Sequence, residues 1–270
     1  MQFIELTILS WALVTTAALL VGLSKAGFGA GAGILAVPLM TIGLGSATEM
    51  LPVLLPVLII GDIFSIIHYT GEKDWKNLLM LIPGCLLGVG GGWLALSLLG
   101  DLDQLRVVGT SMTGDDLLQR AVGIICVGFV LLQFWRSYRR SRTPDRLEAF
   151  RPRLWHGIGL GGAAGLTSTL AHSAGPLVAL YLLPQKLDKR IFVGTTVTYF
   201  FIGNLIKLIP FTAEGLFTSA RLWTSAILAP AVIVGTFVGV FLNRKLDDRV
   251  FVLIIYVLAM GAGLKLLLGL

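Results

Sequence analysis

The sequence predicts an all-α, polytopic membrane protein with about 8–10 transmembrane segments arranged as two inverted five-segment repeats. Three observations carry this. First, 56% of the 270 residues are hydrophobic and 13% charged, whereas soluble chains carry about 25% charged residues. A soluble domain of this length could not hide that much apolar surface, and the mean hydropathy is +0.87. Second, the apolar runs are long and continuous. Barrel strands would alternate at period two over about ten residues, so helices are the spanning form. Third, the loops between the runs are short, and their basic residues concentrate in alternate loops, all on one side of the membrane.

A spanning helix needs about 20 mostly apolar residues. Ten apolar segments can be marked, at 3–24, 30–44, 50–69, 77–99, 118–135, 154–171, 173–184, 191–211, 222–242 and 249–269. The start, Met1-Gln2-Phe3-Ile4-Glu5, has no basic region and no small-residue cleavage site follows the first run. It reads as a retained helix and not as a signal peptide. Cys85 and Cys126 lie inside apolar runs and read as small packing residues, neither a disulfide nor a metal site.

The net charge is +6, and seven arginines fall between Arg136 and Arg153 against Asp145 and Glu148. The positive-inside rule makes 136–153 a cytoplasmic loop; no nucleic-acid partner is expected. The chain then divides into an N-terminal membrane repeat at 1–135, this linker, and a C-terminal membrane repeat at 154–270. Loop 100–117, with Asp101, Asp103, Asp115 and Asp116, falls outside. Lys73 and Lys76, Lys186 to Arg190, and Asn243-Arg244-Lys245 fall inside. Both termini fall outside, in what would be a cell inner membrane. Five segments per half gives the halves opposite orientation, the signature of an inverted repeat. Internal echoes support it: Gly22-Leu23-Ser24 with Gly165-Leu166-Thr167, Gly61-Asp62 with Gly203-Asn204, and Pro83, Gly88 and Gly92 with Pro230, Gly235 and Gly239.

Segments two and seven are short, covering roughly 18–22 Å at 1.5 Å per residue against a core of about 30 Å. Segments one–two and six–seven therefore read as two helical hairpins entering from opposite faces and meeting near the midplane. The first break runs from Ser24 and Lys25 through Gly29, Gly31 and Gly33 to Pro38. Spaced small residues let backbone approach a ligand, and a helix starting there offers its positive end to an anion. The competing reading is a helix-packing face with Lys25 snorkelling to the surface.

The second break carries Thr167, Ser168, Thr169, His172, Ser173, Gly175 and Pro176. Hydroxyls and an imidazole between apolar runs need a polar cavity or each other. His172 could bind substrate, move a proton or hydrogen-bond within the bundle. Asp62 and Asn204 sit mid-segment, with Lys207 three residues beyond Asn204 and on its face. Intramembrane ionisable groups are candidate functional residues. The alternative is a structural Asp–Lys pair locking the halves together. Candidate substrate-binding residues are thus Ser24, Lys25, Gly29, Gly31, Gly33, Thr167, Ser168, His172, Ser173, Gly175, Asn204 and Lys207, with Asp62 and His172 as coupling or proton groups.

Gly29-x-Gly31-x-Gly33 followed by Pro38 resembles the G-x-G-G-G-x-x-x-x-P hairpin motif of the sulfite exporter TauE/SafE family, with Ala32 where that pattern usually has Gly. The Thr167–Pro176 stretch takes the place of the family's second copy, with His172, Ser173 and Ala174 in its Gly-rich part and Tyr181 near the expected Pro. The resemblance implies a secondary transporter that exports sulfite, an organosulfonate or a related sulfur oxyanion. Its partners would be a small anionic substrate and membrane lipid, and a homodimer is left open. No cofactor, metal or catalytic residue is expected. No G-x-x-x-x-G-K-[ST] loop occurs, so the energy would come from a gradient or a partner. An intramembrane enzyme acting on a lipid-linked or phosphorylated substrate is the alternative. It would want a carboxylate beside its nucleophile or metal, and the candidate hairpins contain no Arg, Asp or Glu.

Overall fold

The computed structural model describes residues 4, 6–25, 35–105, 113–142, 152–243, 257, 260–261 and 263–269, which form helices and turns with no strand among them. In chain order the helices are α1 (Ile8–Leu23), α2 (Ala36–Leu44), α3 (Ala47–His68), α4 (Trp75–Leu105), α5 (Gly114–Arg142), α6 (Leu154–Ala171), α7 (Gly175–Leu182), α8 (Lys189–Ala213) and α9 (Ser219–Asn243). Among the described residues, four apolar stretches are long enough to cross a bilayer: Ala47–His68, Trp75–Leu98, Lys189–Ala213 and Ser219–Phe241.

Local chemistry sets the helix ends. Thr7, Ser46 and Asp188 cap α1, α3 and α8 by accepting from the amides of Ser10, Glu49 and Arg190, which satisfies donors the first turn leaves free. Gly45, at φ 72°, ends α2 in the left-handed conformation that glycine adopts without steric cost. The basic loop expected at 136–153 is corrected in its first part: α5 continues through the arginines to Arg142. Arginine is a good helix former, so charge marks a membrane boundary without ending a helix, and the first breaker in that stretch is Pro144. Likewise α4 runs past Asp101 and Asp103 to Leu105.

Helices α3 and α8 form the centre and pack on each other. Each carries a long run of buried residues. Helices α4 and α9 lie outside them, with Leu86, Leu87, Leu94, Val234, Phe237 and Phe241 exposed, as expected where the surrounding solvent is lipid. Trp75, Trp155 and Trp223 at helix starts are also exposed and suit the interfacial anchoring expected of them.

The tightest pairings join the two halves: α4 lies along α6, and α1 along α9. Both rest on glycine. A Cβ at Gly88 would stand 2.0 Å from the Gly162 carbonyl oxygen, and one at Gly165 would stand 2.5 Å from that of Cys85. On the other pair, a Cβ at Gly235 would meet the Leu19 carbonyl at 2.2 Å, and one at Gly22 the Val232 carbonyl at 2.1 Å. Helices in lipid associate through such close backbone packing, since apolar burial gives no preference for a neighbouring helix over lipid.

Polar contacts tie the bundle's ends. Arg221 on α9 grips Glu49 on α3 with two donors, Nε at 2.8 Å from one oxygen. At the opposite end, the Asp74 amide donates to Thr195 Oγ1 at 2.8 Å and Arg190 pairs with Glu72 at 2.7 Å. Asp115 in the first turn of α5 accepts from Ser46 Oγ and from the Thr48 amide and hydroxyl, docking α5 on the start of α3.

The glycine contacts make a sharp prediction. Gly88→Ala should lower the detergent-solubilised melting temperature, at a cost of about 1–3 kcal/mol or more, because the new Cβ would meet backbone of α6, which cannot swing aside as a side chain can. Gly90→Ala, two residues away and facing open space, should be neutral or stabilising by up to about 1 kcal/mol. Equal effects from the two would refute the packing account.

Candidate functional site

Three charged side chains are buried among the described residues: Lys25, Asp62 and Lys207. All three lie close together. Lys25 extends from the end of α1, where the last turn widens to π geometry at Ser24 and Lys25, a distortion often found at functional sites. Its Nζ donates to Asp62 Oδ1 on α3. The other carboxylate oxygen of Asp62 accepts from Asn204 Nδ2 on α8 at 2.6 Å. Lys25 also lies 5.7 Å from the centroid of Phe200 on α8, within cation–π range.

This corrects two expectations. Lys25 does not snorkel: it is 7% exposed and ion-paired. The Asp–Lys pair does not itself lock the halves together, because both partners belong to the first half; the Asp62–Asn204 hydrogen bond is the link across. Lys207 is fully buried.

Lys207 forms a second cluster. Its Nζ lies 2.9 Å from Ser168 Oγ, 3.3 Å from the Ser168 carbonyl and 2.8 Å from His172 Nδ1. On the far side of the imidazole, His172 Nε2 lies 2.9 Å from the Leu51 carbonyl oxygen on α3. A carbonyl can only accept, so the network assigns the ring proton to Nε2 and leaves Nδ1 to accept from Lys207. The imidazole is then neutral and bridges α8 to α3.

The helix end that places His172 has an identifiable cause. The His172 amide donates to the Ser168 carbonyl at 2.9 Å and the Ser173 amide to the Thr167 carbonyl at 3.3 Å. The first of these is the five-to-one bond of the αL C-cap motif, whose left-handed position usually holds glycine. Here it holds His172 at φ 45°, a conformation that costs a non-glycine residue about 1–2 kcal/mol. Thr167 supports the same turn, its hydroxyl donating to the Ala163 carbonyl at 2.9 Å. Nearby, Pro52 and Pro56 each remove a backbone donor from α3, and on either side of Pro52 the Leu51 and Val53 carbonyls accept from His172 and Ser225.

A cavity of about 60 Å³ lies between these clusters, room for a handful of waters or one small polyatomic ion. Ser24, Lys25, Ser168, His172, Ser173, Gly175 and Asn204 from the expected set line it. Asp62, Lys207 and Thr167 do not; they hold lining groups from behind. Gly29, Gly31 and Gly33 lie outside the described residues. Reading the sequence for polar residues alone missed Leu54, Leu58, Thr196 and Phe200, which also line the cavity. They stand four and eight residues before Asp62 and Asn204, so helical periodicity from those two polar positions could have found them.

Two helices begin at the cavity. Ala36 and Val37 open α2, and Ala174 and Gly175 open α7; all four line it, and neither start carries a side-chain cap. In α7 Pro176 has no amide and those of Leu177 and Val178 donate to the Ala174 carbonyl, so what the two helix starts offer an anion is chiefly the partial positive charge of the helix end. The described residues hold no cluster of His, Cys, Asp or Glu suited to a metal ion.

Helices long enough to span a bilayer, with ionisable groups gathered at a buried cavity between two broken helices, define a polytopic membrane transport protein. The chain belongs to the sulfite exporter TauE/SafE family, whose family model matches residues 14–266. Neither a curated protein nor a solved structure matches it.

Asp62→Ala should destabilise the protein by about 3–5 kcal/mol, because it strands the Lys25 charge in the interior. Adding Lys25→Met should recover most of that loss in thermal unfolding. A double variant no more stable than Asp62→Ala alone would argue against the pair.

Proposed function

We propose that this chain is a secondary transporter for a small anion, either sulfite or a related sulfur oxyanion such as an organosulfonate, working by alternating access in an inner membrane. One observation carries the reading: buried Lys25, paired with Asp62, stands at the wall of a cavity onto which two helix starts without side-chain caps open, with a second buried lysine, Lys207, behind the wall. An anion entering that cavity meets lysine, amide and hydroxyl donors and no free carboxylate. The family's description as sulfite exporters supports the choice of anion.

The mechanism assigns direct contact to Lys25, Ser168, Ser173 and Asn204, beside the positive end of α7. Lys207 and Asp62 act from behind. The two halves, 1–135 and 154–270, joined by the Arg-rich cytoplasmic stretch 136–153 into which α5 continues, rock about this centre as inverted repeats. The glycine contacts support that relation. Gly22 meets Val232 where Gly165 meets Cys85, and Gly235 meets Leu19 where Gly88 meets Gly162. Residues 22 and 165 are 143 apart, as are 19 and 162, while 85 and 232 are 147 apart, as are 88 and 235. Asp62 and Asn204, which echo each other in sequence, bond directly to each other, as residues flanking a two-fold axis would.

Reconstituted protein should take up labelled sulfite or sulfoacetate into proteoliposomes with saturation. Lys25→Ala, checked for folding by its elution profile and melting temperature, should reduce uptake by about tenfold or more, the scale of losing a buried charge-assisted hydrogen bond. Saturable flux of cationic or neutral solutes in place of any anion would sink the assignment.

A further inference from the structure

The hydrogen bonds around Lys207 point to a role that goes beyond anion binding and rests on the transport reading above. Among the described residues no carboxylate contacts Lys207: its three hydrogen-bond partners are a hydroxyl, a carbonyl and an imidazole nitrogen. The carbonyl and Nδ1 can only accept. The Ser168 hydroxyl can do either, because it rotates. A protonated Lys207 therefore donates to all three. A neutral Lys207 donates to the carbonyl and to Nδ1, and accepts from the Ser168 hydroxyl on its lone pair. Both protonation states satisfy every partner with the same heavy-atom positions.

The surrounding charges decide when each state is occupied. Asp62 on α3 is neutralised by Lys25 on α1, and Asn204 takes its other oxygen. His172, after α6, is held neutral by its two contacts. Cys85 on α4 and Tyr199 on α8, both buried, are the remaining titratable groups on this side, and each is uncharged as an ordinary thiol or phenol near neutral pH. The glycine-rich link, residues 26–34, contains no ionisable side chain. With the cavity empty, a proton on Lys207 would leave one unbalanced positive charge in the protein's low-dielectric centre. With a monoanion in the cavity, that same proton balances the site.

We infer that Lys207 is the proton-coupling group, taking up one proton from water on its Nζ lone pair as a monoanion enters and releasing it to water on the other side as the anion leaves. Empty and loaded sites are then both electrically neutral, and the transporter moves one proton with each monoanion. Efflux follows whenever the anion gradient exceeds the opposing pH gradient. The coupling roles expected for Asp62 and His172 give way to supporting ones: Asp62 fixes Lys25, and His172 presents Nδ1 to Lys207.

The test uses the full chain in proteoliposomes with labelled ethanesulfonate, which carries one charge at every pH near neutrality, so a proton that moves with it travels on the protein. Sulfite is run in parallel. The native chain should accumulate the anion on the alkaline side by about tenfold per unit of pH gradient, the value for one proton per anion. Clamping the membrane potential at different values should leave the flux unchanged. Lys207→Met should abolish the pH-driven accumulation of ethanesulfonate; sulfite, whose own protonation changes near neutrality, reports only whether an anion moves. Flux that follows membrane potential, or accumulation indifferent to pH in the native chain, overturns the inference even if Lys207→Met fails to fold. So does pH-driven accumulation that survives in a folded Lys207→Met. If the native chain moves neither probe, the anion-transport reading itself fails, and that result is distinct from movement without proton coupling.

Discussion

The arrangement depends on a buried carboxylate shared between the two halves. Asp62 is fully buried, so its charge requires Lys25 on one oxygen and a second donor on the other. Lys25 comes from the end of α1 and Asn204 from the middle of α8. Satisfying one carboxylate therefore fixes where the first hairpin breaks and how α3 faces α8. The cavity beside them follows from this, since the lysine that α1 delivers to Asp62 stands at its wall.

Close helix packing makes that geometry possible. Lipid is as apolar as a leucine side chain, so burial alone does not bring helices together. The α1–α9 and α4–α6 pairings instead rely on glycines that let carbonyl oxygens approach to distances no Cβ would allow. They fasten each hairpin's first helix to the outer helix of the other half. The broken helix ends are thereby held at the centre, where the Lys207–Ser168–His172 cluster and the Lys25–Asp62–Asn204 chain lie within reach of one cavity. His172 adopts its unfavourable backbone conformation because both ring nitrogens are engaged, by α8 and by α3. Glycine would relax the turn and lose both contacts.

Much of this was legible in the chain itself. Continuous apolar runs gave the helices, and intramembrane polar residues such as Lys25, Asp62, His172, Asn204 and Lys207 were conspicuous because lipid tolerates so few of them. The ends of α4 and α5 were less legible, since acidic and basic residues mark the edge of a bilayer but propagate a helix readily. The apolar lining of Leu54, Leu58 and Phe200 was obscured for a related reason: in a chain this hydrophobic, an apolar residue facing a cavity looks the same as one facing lipid.

The sequence by itself determined the class of protein, the helical type of its long elements, and which polar side chains require a partner, because each follows from the cost of exposing a group to hydrocarbon; the tenth segment, 249–269, falls largely outside the described residues. Which partner each one takes was decided only in three dimensions. Lys25 and Lys207 are equivalent candidates for Asp62 on paper, and segment spacing does not choose between them. The packing of α1 against α9, and the left-handed turn at His172, bring Lys25 to the carboxylate and leave Lys207 to a hydroxyl, a carbonyl and an imidazole. That choice depends on contacts between residues 35 to 142 positions apart, and no local pattern encodes it.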